Sequence, residues 1–218
     1  FLGTEEEKIQ YHKIIGDYNF IIHGQNGIGA VRNYIRHHYK YKTDERYVLY
    51  MDDDIEALKT ITNDIIDFEK YCMSMFEFTE TKSLSLWGVY PINNPFFMKD
   101  NITVNNRYII GCFCGEVIRR DRHDIYTDLD HGEYFLRDSG VVRDNKVCVK
   151  TKYYGDGGIN DSYNGLHKRL LDQTKSSIYI KERYVDMVEL KKKTNVNKKK
   201  IKTLECVYDI RFNYRYKC

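Results

Sequence analysis

The apolar and polar positions divide the chain into two kinds of pattern. Behind Glu5, Glu6 and Glu7, which suit the positive end of a helix dipole, Ile9, His12 and Ile15 recur at helical spacing. This predicts a helix over Glu5–Ile15, stopped by Gly16. Tyr18–His23 is a short β-rich run, and the glycine-rich turn Gly24–Gly29 leads into a second helix over Ala30–Tyr39. Tyr47–Met51 is a continuous apolar run of the length of a buried strand, ending at Asp52-Asp53-Asp54. Ile55, Leu58, Ile61, Ile65 and Phe68 then keep helical spacing, so a helix is expected over Ile55–Phe68.

Beyond Glu80 the pattern changes to short strands with turn signals: Ser83–Tyr90, Pro91–Pro95, Arg107–Arg119 and Val141–Lys152. Between them, Asp121–Tyr134 is polar and acidic. Gly155–Gly158 is a loop, followed by a helix from about Asp161 to Thr174. Strand–helix units first and mixed strands afterwards predict an α/β fold, a mixed central sheet flanked by helices with ligand loops at its strand ends.

Composition narrows the class. The chain has 218 residues, 42% of them apolar and 14% aromatic, enough for one core of ordinary size and too much aromatic bulk for a disordered chain. No run approaches the roughly 18 apolar residues that a membrane span needs, and the acidic opening is unlike a secretory signal. A cytoplasmic protein is therefore expected. The six cysteines form no Cys-x-x-Cys pair, which points to reduced thiols and away from a zinc site. The net charge of +3 is unevenly spread, because residues 191–218 carry ten Lys or Arg against Glu205 and Asp209. This basic C-terminal segment is either a solvated face or a grip for a polyanion such as DNA.

The three aspartates carry the chemistry. Adjacent carboxylates repel one another, and grouping them after a buried strand is most simply explained by a cation between them. An acidic cap on a following helix would use one of them and leave the others unexplained. Tyr50-Met51-Asp52-Asp53 also spells the motif of reverse-transcriptase palms. A palm needs an earlier metal-binding Asp and a hairpin after the motif, whereas Asp17 lies in a turn and the following residues have a helical period.

Read instead as Asp-x-Asp, Asp52 and Asp54 resemble the metal motif of the glycosyltransferase A (GT-A) fold. There, a buried strand ends in two carboxylates that hold Mn²⁺ or Mg²⁺ against the diphosphate of a nucleotide sugar. Upstream, Gly27-Ile28-Gly29-Ala30-Val31-Arg32-Asn33 is similar to the Gly-x-x-x-x-Arg-Asn element that precedes this motif in family 2-like glycosyltransferases. Downstream, Asp130-His131-Gly132-Glu133, followed by Arg137 and Gly140, stands where inverting members carry their base, although the family more often shows Glu-Asp at Asp130-His131. Together with Trp87–Pro91, Asn94–Met98, Gly111–Gly115 and Gly157–Ile159, the pattern resembles the glycosyltransferases of large DNA viruses and phages, over about residues 1–171.

The resemblance implies a metal-dependent, inverting enzyme that moves a sugar from a nucleotide-sugar donor, UDP-linked by preference, to a hydroxyl of a glycan acceptor. Asp52 and Asp54 would hold the metal, Asp53 would face the ribose or sugar, and Arg32, Asn33 and Trp87 would line the donor side. Glu133, then Asp130, with His131 as a further candidate, would take the acceptor proton. Trp87–Pro95 would border the sugar and acceptor, with core packing as the other reading of Trp87. The strand that opens this family has no counterpart here, which implies a single domain over 1–218 lacking its first nucleotide-binding strand. Three rivals stand beside this reading. One is transfer to modified DNA bases through the basic segment, and another is a non-catalytic lectin-like remnant. The third, a sugar nucleotidyltransferase, normally has a long glycine-rich loop and a first-strand Lys that are not visible here.

Overall fold

The chain forms two units in a computed structural model that describes residues 1–16, 18–25, 28–52, 54–62, 66–120, 140–152, 166–186, 188–192 and 208–212. The first unit comprises residues 1–46 with 118–131, and the second 47–117 with 132–218. Both contain helices, and the second carries a curled mixed sheet.

In the first unit, helix α1 spans Glu5–Ile15 as the sequence predicts. Thr4 and Glu7 form a reciprocal capping box, and the Gly16 N–H closes the other end on the His12 carbonyl. Gly16 does so at φ +80°, a conformation that favours glycine. No residue of α1 is buried. The expected strand Tyr18–His23 reduces to one parallel bridge between Leu2 and Ile22. Helix α2 runs Ile28–Tyr41 and buries Arg32, Ile35, Arg36 and Lys40, all at helical spacing on one face. Residues 118–120 are held in this unit by the Ile118 N–H on the Arg46 carbonyl and by Arg120 on the carbonyls of Thr43 and Glu45.

The second unit opens with β1, Tyr47–Met51, as expected. The helix expected over Ile55–Phe68 is not formed: Ile55–Thr60 is strand β2, and helix α3 begins at Phe68 and runs to Thr81. A bulge accounts for the misleading period. Ile55 pairs with Thr151 and Ala57 with the adjacent Lys150, so Glu56 is an extra residue in the β2 strand. Ile55 and Leu58 thereby both face the core at a spacing of three, which a regular strand would not allow. Asp67 caps α3 through the Lys70 N–H.

Strands β3 (Leu86–Tyr90), β4 (Ile102–Asn105), β5 (Phe113–Val117) and β6 (Val141–Thr151) complete a sheet of order β1-β5-β3-β6-β2, with β4 also on β6. The strand expected at Pro91–Pro95 is absent; Pro95–Phe97 is instead a 3₁₀ turn. Strand β5 is antiparallel to both β1 and β3, and β3 is parallel to β6. The carboxyl ends of β1, β3 and β6 therefore share one edge. A flat sheet would hold β1 and β2 about 19 Å apart across four strand spacings. Yet the four residues from Met51 to Ile55 span at most about 14 Å, so the sheet must curl at this edge. Strand β6 bends where its register to β3 shifts between Val89 and Tyr90.

Helix α3 covers one sheet face with Cys72, Met75 and Phe76. Trp87 is the hub of this core, edge-on to Tyr71, Phe76 and Phe113 at centroid distances of 6.1, 5.2 and 5.9 Å. Helix α4, Leu166–Arg183, leads to a β7 (Val188–Lys192) and β8 (Tyr208–Phe212) hairpin. The hairpin is tied to α4 through Thr174 and Ser177, which bond the backbone of Tyr208. Cys72, Cys112, Cys114 and Cys148 are free thiols. Among the described residues, no helix is long and apolar enough to cross a membrane.

Candidate functional site

The aspartate turn sits on the curled edge. Alternation along β1 buries Val48 and Tyr50 on one side. Tyr50 donates its hydroxyl to the buried Glu116 carboxylate at 3.0 Å. The Asp52 N–H extends the β1–β5 ladder by donating to the Cys112 carbonyl at 2.9 Å. The Asp54 carbonyl accepts the Lys152 N–H at 2.7 Å, beside the carboxyl end of β6. The turn is thus pinned at both ends by backbone bonds to two different strands.

The carboxylates of this turn differ. Asp52 is exposed, whereas Asp54 is half-buried and its Oδ1 is shut off from water without a hydrogen-bond donor. Leaving a buried oxygen unpaired costs about 1–3 kcal/mol, more for a charged group. Such an atom fits a cation ligand, and with Asp52 it supplies hard oxygen donors of the kind Mn²⁺ and Mg²⁺ accept. Among the described residues, no group of three His, Cys, Asp or Glu side chains is assembled for a metal, and Asp53 lies outside those residues. Next to the turn, Lys150 Nζ donates to Glu56 Oε1 at 2.6 Å. That bond, reinforced by the charges of Lys150, Lys152 and Lys59, holds the Glu56 carboxyl below its ordinary range.

The strand that follows the motif bears on the palm alternative. Although β2 replaces the expected helix, β1 pairs with β5 and β2 with β6, so the two do not form the hairpin of a palm.

The other sequence candidates fall on other elements. Arg32 is buried and Asn33 half-buried, both on α2 in the first unit. Trp87, expected on the donor side, is fully buried, and its position is that of a core residue. Glu133, Asp130 and His131 lie outside the described residues.

Sequence reasoning missed a buried polar centre at the bend of β6. Tyr71 donates to Asp144 Oδ2 at 3.2 Å, and the Lys146 N–H to Oδ1 at 2.9 Å. Burial pushes the Asp144 carboxyl up, against the opposing pull of these two bonds and the Lys146 charge. It also pushes up the Tyr71 phenol, with the Asp144 charge adding to the effect. Asn145 ties the bend to β4 through Asn101 and Thr103. The signal was available: Arg143-Asp144-Asn145-Lys146 separates the apolar residues Val141 and Val142 from Val147, Cys148 and Val149.

The fold and this edge place the chain in the mixed α/β class with a strand-end aspartate turn. Compared with known proteins, it matches no family model, no curated protein and no solved structure.

Proposed function

We propose that this chain is a metal-dependent glycosyltransferase of the GT-A type, transferring a sugar from a nucleotide-sugar donor to a glycan hydroxyl. The observation that carries the reading is the Asp52–Asp54 turn at the converging strand ends, with the buried, unpaired Oδ1 of Asp54. Ligands of open α/β sheets gather at the carboxyl ends of parallel strands. The resemblance also calls for a strand ending in Asp-x-Asp; β1 is that strand, although it buries only Val48 and Tyr50 and stands at the end of the sheet order instead of being the fully buried strand expected.

Asp52 and Asp54 would hold Mn²⁺ or Mg²⁺, and the ion, when bound, neutralises charge on the leaving diphosphate. In an inverting transfer the acceptor oxygen bonds to the sugar C1 as the bond from C1 to the diphosphate oxygen breaks. A carboxylate takes the acceptor proton in the same step, a contribution of roughly 10²- to 10⁴-fold. Glu133 is the first candidate for this base and Asp130 the second. Arg32 and Asn33 keep their proposed donor roles, and Asp53 its role toward the ribose or sugar; Trp87 is assigned to the core.

The acceptor in this reading is a glycan hydroxyl, as the sequence resemblance implies.

The test is thermal unfolding with UDP-, GDP- and dTDP-sugars, with and without Mn²⁺. Donor at 100 times its Kd should add about 2.7 kcal/mol, a rise of roughly 5–10 °C for a chain of this size. The rise should need the metal, and Asp54→Ala should abolish it. Metal-independent stabilisation, or none with any donor, would refute the reading.

A further inference from the structure

The loop after β3 presents apolar surface that the fold does not use. Phe96 is 85% exposed, and Phe97 and Ile92 are about half exposed. Large apolar side chains standing together in water need an explanation. The loop that carries them is tied into the fold. The chain's only two prolines, Pro91 and Pro95, both fall in it. Asn94 caps the 3₁₀ turn by accepting the Phe96 N–H at 3.0 Å. Met98 is buried directly after it, and the Lys99 N–H bonds the Asn145 carbonyl at 3.1 Å. Phe96 and Phe97 are locked edge-to-face at 5.1 Å.

The place of the loop bears on its use. Cys114 pairs with Gly88 of β3 on one side and with Tyr50 of β1 on the other, so the two strands run toward this edge in step. Asp52 meets Cys112 from the other side of the same strand. The root of the aromatic loop and the aspartate turn are thus about two strand spacings, or roughly 10 Å, apart on one edge.

We propose that Phe96 and Phe97 form a stacking platform for a pyranose ring of the acceptor, a deduction that rests on the glycosyltransferase reading above. A pyranose offers one face of C–H groups, which the negative face of an aromatic ring attracts, and a rim of hydroxyls that suits the neighbouring Asn93 and Asn94 amides. Charge supports a neutral occupant, since Lys99 and Asp100, which follow the loop, carry opposite signs. A nucleic acid would call for basic residues among the aromatics.

The test is saturation-transfer NMR on the full chain, without nucleotide or metal, using linear tetrasaccharides of glucose, galactose, mannose and xylose. A dT10 oligonucleotide serves as the competing class. At least one tetrasaccharide should show transfer to its ring C–H protons. The signal should fall about fivefold or more in Phe96→Ser and persist in Phe96→Trp, the aromatic face being what binds. Because Phe96 is exposed, unfolding temperatures should match the wild type. No tetrasaccharide signal, a signal indifferent to Phe96→Ser, or an aromatic-dependent response to dT10 alone would overturn the proposal. So would a self-association that Phe96→Ser dissolves. The donor and Mn²⁺ thermal shift, measured on the same proteins, reports separately on the enzyme reading.

Discussion

The indole of Trp87 lies directly against Gly115, leaving no room for a Cβ, which would overlap the indole nitrogen and ring carbons. The two residues are cross-strand partners in β3 and β5. Gly115→Ala must push Trp87 into Phe76 and Phe113, and overpacking of this kind costs about 1–3 kcal/mol. Chemical unfolding should show the loss. Trp87 is the only tryptophan, so the indole emission comes from this place in the core alone. It should be poorly quenched by iodide in the wild type and more accessible in the variant.

How far the sequence reveals this fold depends on which periodicities survive packing. Helix α1 was legible to the residue because its caps and carboxylates are local features. Strand β1 and the aspartate turn were legible because an apolar run stops abruptly at charge. Strand β2 was not, because the bulge at Glu56 gives a strand the three-residue spacing of a helix. That error also hid the start of α3, since Phe68 served as the end of the expected helix when it is the first residue of the real one. For the site, residue types pointed to the carboxylates, but only the coordinates distinguish exposed Asp52 from Asp54 with its buried oxygen. Trp87 illustrates the converse: a tryptophan beside glycines reads equally as a sugar platform or a core ring, and burial decides for the core.

Thr4→Ala removes the side-chain half of the α1 capping box. Such a loss is typically worth about 1 kcal/mol, but α1 buries no residue. The effect should therefore stay local. Amide exchange in the first turn of α1 should quicken several-fold, with the global unfolding midpoint unchanged.

Asp144 predicts a pH dependence. Its carboxyl titrates above its ordinary range in the folded chain because it is buried, whereas the unfolded chain ionises it near pH 4. Between these two values the folded state holds the proton that the unfolded state has released. Stability should accordingly fall as pH rises through that interval and level off above it. Asp144→Asn should flatten this part of the profile. Tyr71→Phe removes a bond that favours the ionised carboxylate and should extend the decline to higher pH. Urea unfolding at closely spaced pH values from 4 to 8 measures both.

Asp54 should separate stability from function. In the chain without metal, its buried Oδ1 has no donor and sits in a turn with Asp52. Asp54→Asn keeps the shape and the backbone bond to Lys152 while removing the charge. Because the amide still places a polar atom without a partner where Oδ1 lies, metal-free stability should change little. Under the proposed function, the same substitution should remove most of the stabilisation by Mn²⁺ and donor, since an amide oxygen is a much weaker ligand than a carboxylate. The variant thus loses the response to the ion while keeping its metal-free stability. Asp52→Asn, at an exposed position, should do the same. Thermal unfolding of the three proteins with and without Mn²⁺ distinguishes a cation site from an ordinary acidic turn, because in the latter both substitutions would leave the response to the ion unchanged.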